Sequence, residues 1–72
     1  MATLSERIKN LRTGSNLTQK QLAEILSVTP EMIQRIEYGT RRPVLDKLII
    51  LADYFDVSLD YLVGRSDNPG RM

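Results

Sequence analysis

The pair Thr29-Pro30 opens a stretch in which Glu31 and Arg35 stand four residues apart, with Gln34 beside them. On a helix that spacing puts Glu31 and Arg35 on one side. A carboxylate, a carboxamide and a guanidinium gathered there can accept, exchange and donate hydrogen bonds. Just beyond Gly39 come Thr40, Arg41 and Arg42. Two adjacent guanidinium groups suit anionic oxygens, phosphate above all. The chain contains no Cys and no His, which removes thiolate and imidazole as metal ligands, nucleophiles and general bases. The residue types therefore describe a binding surface. No catalytic constellation is visible, an enzyme is not expected, and no cofactor is implied.

These residues need elements to hold them, and the chain supplies helix punctuation five times. Thr3 with Glu6 fits a capping box, followed by Leu4, Ile8 and Leu11 at helical spacing and a stop near Thr13-Gly14. Thr18 with Gln21 is a second capping box, ahead of Leu22, Ile25 and Leu26. Ser27-Val28 is a two-residue turn. Thr29 caps a third helix with Pro30 at its first position, where the missing N–H is harmless, and Gly39 ends it. Leu45 to Phe55 reads as a fourth helix, expected at the centre of the core, with Leu45, Leu48, Ile49, Ala52 and Phe55 in period and Leu51 broadening the stripe. Ser58 caps a short fifth helix closed by Gly64. The expectation is an all-α domain over residues 1–64. Residues 65–72, rich in turn formers, are expected to form a flexible tail.

Bulk properties agree. Seventy-two residues make one small domain, and 42% hydrophobic with 26% charged residues is ordinary globular composition. No apolar run approaches the roughly 20 residues of a membrane span, and no signal peptide is visible. With the absence of Cys, this leads to a cytoplasmic expectation. The net charge is only +1, but residues 1–43 carry seven basic and four acidic groups, whereas residues 44–64 set Lys47 against four aspartates. One half suits a polyanion and the other something different; chance asymmetry in a short chain is the plain alternative.

Two short helices joined by a two-residue turn form the unit that places its second helix in the DNA major groove. The run LTQKQLAEILSVTPEMIQRIEYGTRRP (Leu17 to Pro43) resembles the lambda-type helix-turn-helix family of phage repressors, Cro proteins and bacterial XRE-type regulators. The family pattern is Leu-Thr-Gln-x-x-Leu-Ala, a turn, a Ser/Thr-opened helix ending Ile-x-x-x-Glu-x-Gly, then Pro. The flanks SERIKNLR and LIILADYFDVSLDYLVG also match, so the resemblance covers residues 4–64. It implies a five-helix, lambda-repressor-like fold with helices 2 and 3 as the helix-turn-helix. It also implies binding of double-stranded DNA in the major groove and a transcriptional repressor acting as a homodimer on a palindromic operator.

The resemblance assigns roles by position. Pro30, Glu31, Gln34 and Arg35 face bases. Arg35 suits guanine O6 and N7, with a phosphate contact or a surface ion pair as its alternatives. Thr18, Gln19, Tyr38, Thr40, Arg41 and Arg42 face phosphates; Thr18 is first a cap, and Gln19 lies where helix-start amides favour an anion. Lys9 and Lys20 are lesser phosphate contacts. Arg12 and Glu37 are expected to pair and to hold the first and third helices in register. Leu59, Tyr61 and Leu62 are implied dimer contacts, though Leu59 and Leu62 also fit a core role, and Tyr61 is the aromatic expected to be exposed. Two departures stand out. Ser27 sits where the family usually has Gly, so either Ser27 adopts a strained left-handed conformation or the turn adjusts, at a cost of about 1 kcal/mol. Pro30 and Glu31 replace the usual Gln residues, so the target cannot be copied from relatives. A different function remains open: a protein-interaction module, an antitoxin or anti-repressor partner, using helices 4 and 5.

Overall fold

Hydroxyl side chains start four of the five helices in the computed structural model, which describes residues 3–70. The helices are α1 (Leu4–Gly14), α2 (Gln19–Leu26), α3 (Pro30–Tyr38), α4 (Leu45–Phe55) and α5 (Leu59–Leu62). No strand occurs among the described residues. Thr18 and Gln21 close the capping box reciprocally: Thr18 Oγ1 accepts from the Gln21 N–H at 3.0 Å, and Gln21 Oε1 from the Thr18 N–H at 2.8 Å. Each satisfied donor is one that a helix start would otherwise leave unpaired. Thr29 and Ser58 accept the equivalent bond in α3 and α5. Helix α4 starts at Val44 without a side-chain cap.

The turn between α2 and α3 resolves the Ser27 question. Ser27 is left-handed, with φ 56° and ψ 43°. The conformation lets the Val28 N–H reach the Ala23 carbonyl at 2.9 Å, which closes α2 while turning the chain into α3. A side chain there costs about 1–2 kcal/mol. Gly39 does the same work at the end of α3 with φ 97° and no side chain to strain.

The core gathers Ile8 from α1, Leu22, Ala23 and Leu26 from α2, Ile33 and Ile36 from α3, Leu51 and Ala52 from α4, and Leu62 from α5. Ala23 is fully enclosed, as the close packing of α2 against α3 requires. Helix α4 departs from expectation. It meets the core through Leu51 and Ala52, with Leu48 and Phe55 packed alongside, while Leu45 is 62% exposed and Ile49 41%. Its sequence is apolar on more than one side, so periodicity alone could not say which side turns inward.

Two tertiary contacts hold α4 and the C-terminal segment. Lys47 Nζ donates to the Leu26 carbonyl at 2.7 Å, placing a cation at the C-terminal end of α2, where the helix dipole is negative. Residues 65–70 of the expected tail fold back on the domain. Arg7 is buried, stacks 3.9 Å above the Tyr61 ring and donates to Asp67 Oδ1 at 2.8 Å. The Ser58 N–H reaches the Pro69 carbonyl at 3.1 Å. Residues 71 and 72 of that tail lie outside the described residues, as do residues 1 and 2.

Candidate nucleic-acid interface

Helix α3 divides its residues between two jobs. Ile33 and Ile36 face inward and lock it against α1 and α2. Pro30, Glu31, Gln34, Arg35 and Tyr38 remain on the exposed side. A carboxylate, an amide, a guanidinium and a phenol thus project from one face, with Pro30 fixing the backbone at the first position.

The inner end of α3 is braced by a three-residue network. Arg12 on α1 meets Glu37 through two bonds, Nε to Oε2 at 2.6 Å and Nη2 to Oε1 at 3.1 Å. The side chains are 13% and 5% exposed, so the pair lies largely out of solvent. Arg12 Nη1 also donates to the Leu17 carbonyl at 2.8 Å. Gln19 Nε2 donates to Glu37 Oε1 at 3.2 Å, so its amide ties α2 to α3 in the free protein. One carboxylate therefore joins α1, α2 and α3.

The loop after α3 is anchored as well. The Arg35 carbonyl accepts from the N–H groups of Gly39, Thr40 and Arg41 and from Thr40 Oγ1, at 3.0 to 3.4 Å. This wraps the basic loop onto the last turn of α3 and leaves Thr40, Arg41 and Arg42 exposed beside Tyr38. Between this loop, the end of α3 and the outer side of α1 runs an open concavity of about 490 Å³. Lys9, Gln19, Gln34, Arg35, Tyr38 and Thr40 all line it. Pro30, Glu31, Arg41 and Arg42 are not in its lining; Arg41 and Arg42 instead border a second concavity with Val28, Met32 and Lys47. Lys9 belongs to this group more firmly than its sequence reading suggested. Its spacing of three from Arg12 was the available signal, since both fall on one side of α1.

On the exposed face, Arg35 Nη2 lies 2.6 Å from Glu31 Oε1. Both side chains are more than half exposed, so the pair contributes a few tenths of a kcal/mol to stability at most. Across the molecule, Leu62 requires a correction. It is completely buried and has no surface to offer a second subunit. Tyr61 is also not the exposed aromatic expected, because the Arg7 guanidinium covers its ring. Leu59 keeps 40% of its surface, and Leu45 and Ile49 on α4 and Val63, which follows α5, are exposed apolar residues. Arg7 was missed altogether: its burial depends on Tyr61 and Asp67, more than fifty residues away.

Residues 8–62 match the model of the helix-turn-helix family. The chain belongs to this family. Among helix-turn-helix relatives, the uncharacterised transcriptional regulator YobD of Bacillus subtilis is 41% identical over 64 residues, which cover 89% of this chain and 57% of YobD. The transcriptional activator BcrR of Enterococcus faecalis is 41% identical over 59 residues, 82% of this chain and 29% of BcrR. The chain thus spans about half the length of YobD and less than a third of BcrR. The crystal structure of the P22 c2 repressor with a synthetic operator superposes with a TM-score of 0.83 at 24% identity, over 92% of this chain and all of that one. It shares the five-helix, lambda-repressor-like fold. No helix among the described residues is long and apolar enough to cross a membrane.

Proposed function

We propose that this chain binds double-stranded DNA sequence-specifically by laying the exposed face of α3 in the major groove. One observation carries the reading: Gln34, Arg35 and Tyr38 of α3 face the same open concavity as Lys9, Gln19 and Thr40. In this arrangement Arg41, Arg42, Thr40 and Tyr38 meet the phosphates on one side of the groove. The start of α2, with Thr18 and Gln19, meets those on the other, where its unpaired amides and dipole favour an anion. Lys9 adds a cation from α1. Phosphate contacts set the register, and Glu31, Gln34 and Arg35 read base edges. Pro30 has no N–H and offers only an apolar contact. Because α3 is braced through Glu37 and Ile36, it enters the groove already ordered.

The protein acts as a transcriptional repressor, occupying an operator that overlaps the site polymerase needs. The repressor–operator complex formed by the shared fold in P22 c2 supports this sign. One helix-turn-helix covers a half-site, so a homodimer on a palindrome with half-sites about 34 Å apart follows from the geometry of the motif. The exposed apolar residues of α4 and α5 supply the subunit contact: Leu45, Ile49, Leu59 and Val63 in place of Leu62 and Tyr61. The same face favours a second reading, a protein-interaction module whose partner covers α4 and α5.

Selection from a pool of random duplexes at two salt concentrations tests the first reading. Enrichment of a palindrome is expected. The log–log salt slope should fall by about one for each of Arg41→Ala and Arg42→Ala, since each removes one phosphate contact. A pool without enrichment, unaffected by either substitution, overturns DNA binding and leaves the interaction module.

A further inference from the structure

Glu31 is an anomaly on a surface otherwise suited to a polyanion. The other acid of α3, Glu37, is consumed by Arg12 and Gln19. Glu31 stands exposed on the same face of α3 as Arg35, where a free carboxylate would repel phosphate. It is not free. It lies in the first turn of α3, where the helix dipole favours an anion, and its Oε1 lies 2.6 Å from Arg35 Nη2. We propose that Glu31 and Arg35 act as one reader of a single G·C base pair in each half-site. The proposal rests on the DNA-binding reading above and goes beyond it by naming the base pair.

The chemistry is complementary group by group. A guanidinium has five N–H donors, and the contact to Glu31 leaves most of them available. The pair therefore presents two donors from Arg35 next to an acceptor oxygen from Glu31. The major-groove edge of a G·C pair presents guanine N7 and O6, both acceptors, next to the cytosine N4 amino donor. The sequences of groups interlock. An A·T pair offers acceptor, donor, acceptor and then a methyl group. There the adenine amino group would face an Arg35 N–H, and the thymine oxygen would face the carboxylate. Glu31 thus has two duties. It positions the Arg35 fork before DNA arrives, and it rejects pairs with no donor at the cytosine position. Away from a matching pair its charge opposes binding, which lowers affinity for irrelevant DNA.

Binding of the intact chain to selected duplexes tests this. The wild type, Glu31→Ala, Arg35→Ala and the double variant are each measured on the best selected operator and on a copy in which one G·C pair per half-site is changed to A·T. Both positions are exposed, and circular dichroism confirms that each variant is folded. The wild type should prefer the G·C operator by about 10-fold or more. Either single substitution should abolish that preference. The effects of the two should be coupled by several-fold on the G·C operator and within about 2-fold of independence on the A·T copy. Glu31→Ala should also bind random duplex more tightly than the wild type. If Glu31→Ala instead strengthens binding to both operators equally and leaves the preference intact, Glu31 is a surface charge only and the proposal falls. If the wild type selects an operator without a G·C pair sensitive to Arg35→Ala, it falls while DNA binding stands. If no duplex is selected at all, DNA binding itself has failed and the proposal with it.

Discussion

Helix α3 takes part in two arginine–glutamate pairs, one of them with α1, that share a 2.6 Å closest approach and differ in surroundings. Arg12 and Glu37 meet at its inner end, largely out of water and bonded twice, with Gln19 and the Leu17 carbonyl taking up further capacity. Glu31 and Arg35 meet on the outer face with most of their surfaces in solvent. Distance does not separate the two pairs. Burial does, because removing a partner from the first strands a charge away from water, whereas water replaces a lost partner in the second. The inner pair therefore belongs to the fold, and the outer pair is left for a partner to use.

The largest test of this contrast is Glu37→Ala, which leaves Arg12 and Gln19 without their shared carboxylate. A loss of about 3–5 kcal/mol in urea unfolding is expected, enough to threaten folding of so small a domain. A loss below about 1 kcal/mol would make the two pairs equivalent and erase the distinction. Lys47→Met extends the comparison to another partly buried charge. It keeps the apolar stem but removes the bond to the Leu26 carbonyl, and should cost about 1–2 kcal/mol. In the turn between the two helices, Ser27→Gly should work in the opposite direction. Relief of the left-handed conformation should raise stability by up to about 1 kcal/mol, read as a melting temperature several degrees higher. Glu31→Ala should change stability least, within about 0.5 kcal/mol, while altering which duplexes are bound.

What could be read directly from the residues was mostly local. Thr18, Thr29 and Ser58 announce helix starts because a cap bonds within its own turn, and Pro30 and Gly39 punctuate α3 for reasons confined to the backbone. The mismatch of Ser27 with the family pattern marks the turn as the place of strain but leaves open whether Ser27 turns left-handed or the turn adjusts; the structure shows the first. What stayed hidden was tertiary. Lys47 looks like a lone surface cation among aspartates until α4 brings it to the end of α2. Arg7 looks like an ordinary helix charge until Tyr61 and Asp67 close over it. Leu62 stays open between contact and core in the sequence because a fifth helix of four residues shows too few positions for its inner side to be told from its outer one. The same ambiguity placed Leu45 and Ile49 in the core beside Ala52, although α4 leaves both of them exposed.

The carboxylate of Glu37 has a further consequence, and it concerns motion. Because α1 and α2 both hold this one group, α3 cannot lift away without releasing both at once. Amides buried along these three helices should then exchange with deuterated solvent through a shared opening, with a common free energy and a common response to denaturant. Helix α5, one turn long, has no such tie to α3 and is free to open by a smaller event of its own. A duplex that engages α3 would accordingly slow exchange as far away as Ile8, a residue it never touches.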